Sequence, residues 1–265
     1  MELHVKGHAA YAYTGGRPHQ ADQPCVVFLH GAGNDHSVWA LQSRYLAHHG
    51  HAVLCPDLPG HGRSAGEPLT SVEALADWVV ALLDAAGVAR ATLAGHSMGS
   101  LVALATAARA PQRVERLALI GTAVPMPVAE NLLDAARHKT ESAYRMINQW
   151  SHAPASLLGG HPVPGLWMPG MGLALMRRSR PGALATDLAN CNAYQNGLQA
   201  AAQVTCPTLL VIGRRDLMTP PRATKGLREA LANVRSIEID GCGHAMMAER
   251  PEAVLGALRD FLHTP

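Results

Sequence analysis

The chain has 265 residues, of which 48% are hydrophobic and 16% charged, and its formal net charge at pH 7 is +2. This composition is typical of a globular domain with a sizeable core, and it excludes intrinsic disorder. The small net charge, the lack of a basic run and the 4% aromatic content exclude the electrostatic pattern of a nucleic-acid-binding protein. The sequence shows neither a signal-peptide core nor an 18-residue apolar stretch, so we expect a soluble cytoplasmic protein without membrane contact.

The cysteines and histidines do not show the spacing of a metal site. The histidine-rich residues 48–51 flank a predicted helix end, and a solvated helix end is the favoured interpretation. His30 and His61 stand in tight, glycine-containing turns, where we expect hydrogen bonds to the backbone. Without a Cys-x-x-Cys pair, the cysteines are predicted to be buried thiols, and neither a metal nor a cofactor is predicted. The cysteines are Cys25, Cys55, Cys191, Cys206 and Cys242.

The first part of the chain predicts the beginning of a sheet. Residues 3–13 are strand-like and end in a turn, which indicates one or two short antiparallel strands. Cys25–Leu29 is a continuous apolar run with the length of a strand buried on both faces, and it leads into a His-Gly-Ala-Gly loop at residues 30–33. Ser37 is predicted to cap the helix that follows, which stops at Gly50.

A second strand and a second helix follow. Residues 52–55 form a short apolar run, and residues 57–64 (Asp-Leu-Pro-Gly-His-Gly-Arg-Ser) are too rich in Gly and Pro for regular structure. Thr70 and Glu73 match a capping box, which predicts the start of a helix that ends at Gly87.

A Gly-x-Ser-x-Gly pattern joins the next strand to the next helix. The apolar residues 91–94 run into residues 95–99 (Gly-His-Ser-Met-Gly), and a helical pattern follows. This pattern lets the chain turn so tightly that Ser97 projects from the bend, and side chains at the glycines would crowd the strand and helix. The N–H of Met98 has no partner within the helix that it opens, so it can face a developing oxyanion.

Strands alternate with amphipathic helices over the first half of the chain, which predicts a doubly wound, mostly parallel α/β sheet with helices on both faces. From residue 125 to residue 203 the alternation lapses, which indicates an inserted helical cap. We predict a core domain of residues 1–124 and 204–265 and a cap of residues 125–203. The cap side chains predicted to form an apolar pocket roof are Trp150, Trp167, Met168, Met171 and Met176, and the first four of these are the predicted substrate-binding residues.

A serine nucleophile needs a base within hydrogen-bond reach and a third group that orients the base. Among the 15 histidines, His244 follows the last predicted strand and therefore lies on the same sheet edge as Ser97. Asp216, just past the preceding strand, is the matching carboxylate. Asp57 is the alternative, but its strand lies on the other side of Ser97, from where His244 is difficult to reach.

The order Ser, Asp, His, together with the strand-turn-helix around Ser97, resembles the α/β-hydrolase family, and the resemblance covers almost the whole chain. It implies that Ser97 is the nucleophile, His244 the base and Asp216 its orienting group. It also implies an oxyanion hole formed by the N–H groups of Ala32 and Met98, and a cap over the active site. The motifs that carry the resemblance are residues 30–33, 57–64, 95–99, 213–216 and 243–244.

The resemblance leaves the reaction open. A serine at position 97 speaks against the dehalogenase and epoxide hydrolase branches, and Ala245 departs from the pattern of carbon-carbon hydrolases. A carboxylesterase or lactonase acting on a small, largely apolar substrate through an acyl-enzyme is favoured. Oligomeric state is not predicted.

The alternatives are a carbon-carbon bond hydrolase and the menaquinone-pathway lyase, to which residues 57–62 and 97–99 are also similar. That lyase needs cations in the cap for its acidic substrate. A non-catalytic ligand-binding protein is disfavoured because no triad position is missing. The candidate cap cations are Arg137, Lys139, Arg145, Arg177, Arg178 and Arg180.

Overall fold

The computed structural model describes residues 1–160 and 165–263, so part of the predicted cap, residues 161–164, and the last two residues lie outside the described ranges. The described residues form one eight-stranded sheet. The strands are β1 (Glu2–Val5), β2 (His8–Tyr13), β3 (Cys25–Leu29), β4 (Ala52–Pro56), β5 (Ala91–His96), β6 (Val114–Ile120), β7 (Thr208–Gly213) and β8 (Val234–Ile239).

The sheet has the strand order β1-β2-β4-β3-β5-β6-β7-β8. The six strands from β4 to β8 in this order pair in parallel. In contrast, β1 pairs antiparallel with β2, and β2 antiparallel with β4. The prediction of a mostly parallel sheet is confirmed, and it brings the carboxyl ends of β5, β7 and β8 to one edge.

Helices cover both faces of the sheet. Within β3, Val27 and Leu29 pack with α2 and α3, whereas Val26 and Phe28 pack on the opposite face with α1 and α12. Of the described helices, none combines the length and hydropathy that crossing a bilayer requires. The helices are α1 (Ala40–Ala47), α2 (Val72–Ala85), α3 (Met98–Arg109), α4 (Glu130–His138), α5 (Thr140–Ser151), α6 (Pro154–Leu157), α7 (Met168–Met176), α8 (Ala183–Ala193), α9 (Gly197–Gln203), α10 (Lys225–Ala230), α11 (Met246–Glu249) and α12 (Pro251–His263).

Two predicted helix caps are wrong. The short 3-10 turn before α1 is capped by Asp35, whose carboxylate accepts from the Ser37 N–H at 2.9 Å. Helix α2 is capped by Ser71, which accepts from the Ala74 N–H at 3.0 Å. In both cases a nearby residue has the extended backbone that an N-cap requires: Asp35 lies two residues before Ser37, and Ser71 lies one residue after Thr70.

The segment between β6 and β7, residues 125–203, is called the insertion below. Helices α4, α5, α7 and α8 share an apolar cluster of their own, whereas α9 packs against α3 and α10 of the core. The insertion thus has a part with its own core and a part that joins the main domain, and the domain boundaries stay a prediction. The buried members of the separate cluster include Leu132, Leu133, Tyr144, Ile147, Met176, Leu184 and Leu188.

The turn between β5 and α3 has no room for side chains at its two glycines. A Cβ at Gly95 would overlap the carbonyl oxygen of Gly99, and a Cβ at Gly99 would overlap that of Leu29. Backbone atoms cannot move aside as the end of a flexible side chain can. The helix therefore approaches β3 and β5 this closely because both positions are glycine.

We expect Gly95→Ala to lower the free energy of unfolding by at least about 2 kcal/mol, because the backbone must absorb the added methyl group. Urea unfolding followed by circular dichroism measures this. The control is Gly256→Ala in α12, where a Cβ meets nothing within 4 Å, so that better helix propensity raises stability by about 0.5 to 1 kcal/mol. Wild-type stability of Gly95→Ala would contradict the close approach.

Candidate active site

Ser97 lies at the turn between β5 and α3, with φ 53° and ψ −121°. A positive φ is costly for a residue with a side chain, and such strain clusters where a functional group must be presented. The Ser97 N–H donates to the carbonyl oxygen of Ile120 at 3.0 Å, and its own carbonyl oxygen accepts from the Ser100 N–H at 2.8 Å. These bonds hold the strained conformation at the carboxyl edge of the sheet.

Asp216 and His244 lie on the loops after β7 and β8 and are hydrogen-bonded to each other, with 2.8 Å between Asp216 Oδ2 and His244 Nδ1. The other oxygen of Asp216 accepts from the N–H groups of Met218 and Thr219 at 2.8 Å each. Burial by itself would raise the pKa of Asp216, but His244 and the hydroxyl and N–H of Thr219 outweigh it and lower this pKa below its ordinary value. Asp216 is therefore an ionised acceptor.

The second ring nitrogen of His244 is left without a partner. Because a carboxylate can only accept, Nδ1 of His244 carries the proton and Nε2 has a free lone pair. This Nε2 is buried, and it has no hydrogen-bond partner among residues 1–160 and 165–263. Ser97 and His244 line the same cavity. An imidazole with a fixed tautomer thus lines the same cavity as the strained serine.

His96 holds the loop that carries His244 through a hydrogen bond and a contact between the two rings. Its Nε2 donates to the carbonyl oxygen of His244 at 2.9 Å, and the two ring centroids are 4.6 Å apart. Complete burial, reinforced by the neighbouring His244, lowers the pKa of His96 to about 3. His96 is therefore neutral near pH 7 and holds the loop instead of competing as a base.

The backbone N–H groups of Ala32 and Met98 belong to two segments that flank Ser97. A Cβ at Gly31, next to Ala32, would lie 3.2 Å from Ser97 Cβ, and Met98 begins α3. Neither N–H has a hydrogen-bond acceptor in the part of the chain that the structure describes. Both donors are available beside the serine, and their role as an oxyanion hole stays a prediction.

Asp57, the alternative carboxylate, is bound to other donors. It accepts from the N–H and Nδ1 of His36 at 2.8 Å each and from the Arg63 N–H at 2.9 Å, and so it is not placed to orient His244. Asp35, His36 and Asp57 bring three ligand atoms within 4.8 Å of one another. Because His36 already bonds to Asp57 and Asp35 is paired with an arginine, these atoms do not form a free ligand set for a cation.

His30 and His61 make the backbone contacts that their turns predict. His30 Nδ1 lies 2.9 Å from the carbonyl oxygen of Gly31, and His61 Nδ1 lies 3.0 Å from that of Pro59. Burial lowers the pKa of His30 to about 4. The Nε2 of His61, however, bonds to Asp187 of the insertion at 2.8 Å, a contact that the sequence pattern does not indicate.

Glu249 is a buried residue next to the candidate site that the sequence pattern misses. Its carboxylate is fully buried, and Oε1 accepts from the N–H of Gly243, the residue before His244, at 2.8 Å. Its Oε2 accepts from the Ala153 N–H at 2.9 Å and from the Ser156 hydroxyl at 2.6 Å, both in the insertion. One carboxylate therefore joins the loop that carries His244 to the insertion. The sequence gives no signal of this, because a lone acidic residue before a helix is not expected to be buried.

The cysteines are not candidates for the nucleophile. Four are buried, and Cys206 is half-buried, so the prediction of buried thiols holds for four of the five. Burial raises the pKa of the Cys25 thiol to about 12, and it raises that of Cys242 to about 12 as well. A thiol with such a pKa is protonated and unreactive near pH 7.

A cavity of about 880 Å³ lies between the carboxyl edge of the sheet and the insertion. Ser97 and His244 line it on the core side. Leu41, Met171 and Leu217 also line it and are 58%, 47% and 70% exposed, so they mark its mouth. The cavity is largely apolar. Further apolar lining residues are Met126, Leu132, Ile147, Met168, Met176 and Leu188.

Three of the four predicted substrate-binding residues line this cavity, namely Trp150, Met168 and Met171. The structure does not bring Trp167 to it: the side chain is among the exposed apolar residues, at 66% exposure, and is absent from the described lining. Its ring lies across Gly170, where a Cβ would overlap the ring. Trp167 thus covers the first turn of its own helix, which an apolar sequence pattern cannot distinguish from facing the cavity.

Four of the six candidate cap cations are paired with other groups. Arg145 and Arg177 share Glu141, and Arg180 donates to backbone carbonyl oxygens of the core. Arg178 lines the cavity but is paired with a core aspartate at 2.8 Å. These four arginines do not form a set of free cations facing Ser97.

We expect Asp216→Asn to slow the phosphonylation of Ser97 by a fluorophosphonate by roughly 10³- to 10⁴-fold, because an amide no longer holds His244 in the tautomer with a free Nε2. Labelling rates measured by mass spectrometry test this. The control is Asp57→Asn, which loses stability by about 1 to 3 kcal/mol because a buried charged acceptor is removed. Its labelling rate should stay near that of the wild type; equal rates in both variants would remove Asp216 from the triad.

Comparison with known proteins identifies the family of the chain. Residues 26–257 match the model of the alpha/beta hydrolase family. A pimeloyl-(acyl-carrier protein) methyl ester esterase of Aromatoleum aromaticum is 32% identical over 259 residues, which cover 91% of this chain and 99% of that protein. Its counterpart of Chromobacterium violaceum is 29% identical over 264 residues, which cover 91% and 95%. Among solved structures, the enol-lactonase from Burkholderia xenovorans LB400 covers 100% of both chains with a TM-score of 0.87 and 27% identity. The chain belongs to the alpha/beta hydrolase family.

Proposed function

We propose that this protein is a serine hydrolase that cleaves a carboxylic ester or lactone of a small, largely apolar substrate through an acyl-enzyme on Ser97. The observation that carries the proposal is the unpartnered Nε2 of His244, which lines the same cavity as Ser97 while Nδ1 is fixed by Asp216. A neutral imidazole with one free lone pair is what a serine hydroxyl needs as its base.

In the proposed cycle, Ser97 Oγ attacks the carbonyl carbon while His244 Nε2 accepts its proton. The charge that forms on the carbonyl oxygen meets the N–H groups of Ala32 and Met98, each typically worth about 3 to 4 kcal/mol. His244 then gives the proton to the leaving alcohol oxygen as its bond to the acyl carbon breaks. Water, deprotonated by His244, adds to the acyl carbon. The bond between this carbon and Ser97 Oγ then breaks as His244 returns the proton to Oγ, which releases the acid and restores Ser97.

The cavity supports an apolar acyl or alcohol portion, for which Trp150, Met168 and Met171 are the proposed contacts. The similar proteins include esterases that act on a methyl ester and an enol-lactonase, which supports an ester or lactone substrate. Elimination from an acidic substrate, the lyase alternative, is less well supported because the cavity arginine Arg178 is already paired. A carbon-carbon hydrolase would use the same triad and is distinguished by the substrate that is turned over.

We expect Ser97→Ala to abolish both turnover of p-nitrophenyl butyrate and labelling by a fluorophosphonate, since loss of a triad serine costs on the order of a millionfold in kcat. The variant should keep the circular dichroism spectrum of the wild type. Ser236→Ala, at an exposed position of β8, is the matched control and should keep both. If Ser97→Ala retained a tenth of the activity, the assignment of Ser97 as the nucleophile would be wrong. Labelling of Ser97 without turnover of any ester or lactone would favour the lyase or a binding protein.

The mouth residue Met171 provides a test of the acyl site. We expect Met171→Asp to raise the KM for p-nitrophenyl octanoate more than the KM for the acetate, because each CH₂ buried in the cavity contributes up to about 0.8 kcal/mol. Leu158→Asp, at an 89% exposed position of the insertion outside the described lining, is the control and should leave both KM values unchanged. Equal changes for the long and short esters would place the acyl chain elsewhere.

A further inference from the structure

The loop that carries Ala32 is fixed in three successive peptide units. In the first, the Gly31 carbonyl oxygen accepts from the Asn34 N–H at 3.2 Å. In the second, the Gly33 N–H donates to Asp187 Oδ2 at 2.8 Å, and in the third the Gly33 carbonyl oxygen accepts from the Ser179 hydroxyl at 2.7 Å. Both polar groups of Gly33 are therefore bound by the insertion, immediately after the proposed oxyanion donor.

One oxygen of Asp187 accepts hydrogen bonds from two donors. Its Oδ2 also lies 2.8 Å from the Nε2 of His61, and both side chains are buried. Both nitrogens of His61 face acceptors, since Nδ1 lies 3.0 Å from the Pro59 carbonyl oxygen. An imidazole with two acceptors carries two protons, so this is a buried ion pair. Burial would lower the pKa of His61, but Asp187 outweighs burial and raises it.

The position of this pair matters because Asp187 binds the peptide unit that directly follows Ala32. The Ala32 N–H belongs to the peptide unit of the Gly31 carbonyl, and it points away from that oxygen. The bond from the Gly33 N–H to Asp187 restricts rotation of the next unit about the Ala32 backbone bonds, in addition to the bonds of Asn34 and Ser179 on either side of it. Gly33 has φ +65°, and a side chain there would contact Leu184 of α8.

We propose that Asp187, with His61 as its counter-ion, is a positioning residue for the oxyanion hole: through the Gly33 N–H it sets the direction of the Ala32 N–H toward Ser97. The insertion would then supply part of the catalytic geometry as well as the substrate cavity. This inference rests on the proposed function, because Ala32 acts as an oxyanion donor only if Ser97 attacks a carbonyl or an equivalent electrophile.

Asparagine cannot replace Asp187 in this role. Without a negative partner His61 loses its second proton, and its bare Nε2 then needs a donor, which the amide NH₂ can supply. The amide NH₂ would then also face the Gly33 N–H, so that two donors meet without an acceptor. If the amide is turned the other way, the Gly33 N–H is satisfied and His61 is not. The variant therefore leaves one buried polar group unpaired whichever way the amide lies.

The test compares Asp187→Asn with Asn190→Ala. Asn190 lies three residues further along α8, is also buried, and ties the helix to the core by donating to the Leu69 carbonyl oxygen at 2.8 Å, away from the oxyanion loop. It is the control for loosened docking of α8. Three quantities are measured for each variant: the rate of Ser97 phosphonylation, kcat and KM for p-nitrophenyl butyrate, and the melting temperature.

We expect Asp187→Asn to lower the phosphonylation rate and kcat together by roughly 10- to 100-fold with KM changed less than about threefold, as a donor displaced near the reacting atoms does. Asn190→Ala should lower the melting temperature and leave the phosphonylation rate near wild type. Unchanged phosphonylation in Asp187→Asn, or an equal loss in Asn190→Ala, overturns the inference and leaves the proposed function standing. Failure of the wild-type protein to be labelled at Ser97 overturns both.

Discussion

The close approach of α3 to the sheet at Gly95 and Gly99 is the constraint on which the site depends. It forces Ser97 into a left-handed conformation, and it brings the unpaired N–H groups of the helix start beside the serine hydroxyl. Parallel pairing then determines what surrounds the serine, because the ends of β5, β7 and β8 meet at one edge. Asp216 and His244 follow the last two of these strands, and His244 lines the same cavity as Ser97.

Two buried carboxylates connect this edge to the insertion, one from each side: Asp187 belongs to the insertion and Glu249 to the core. Asp187 accepts from the N–H of Gly33, one residue after Ala32, while Glu249 accepts from the N–H of Gly243, one residue before His244. Each carboxylate also accepts a second hydrogen bond across the boundary between core and insertion. A buried carboxylate is costly unless its oxygens are fully satisfied, so each one requires both segments in place.

The sheet, the turn at Ser97 and the pairing of Asp216 with His244 could be predicted because their signals are local: apolar runs of strand length, two glycines around a serine, and polar residues directly after strands. The buried carboxylates could not. Asp187 lies in an ordinary helical pattern, and its partner Gly33 is 154 residues away. Nothing near either residue indicates the other. The prediction for Trp167 fails for a different reason. This apolar residue is adjacent in sequence to a residue that lines the cavity, but its ring covers the first turn of its own helix.

The double attachment of Gly33 also limits how such a protein can diverge. A chain that replaced its insertion to accept a different acyl group would leave the Gly33 N–H and the charge of His61 without partners, at about 1 to 3 kcal/mol for each buried group. With the roles proposed above, substrate range and reaction rate would depend on the same segment. Exchange of side chains such as Leu132 or Ile147, which line the cavity, would then change specificity while keeping Asp187 and the backbone that carries it.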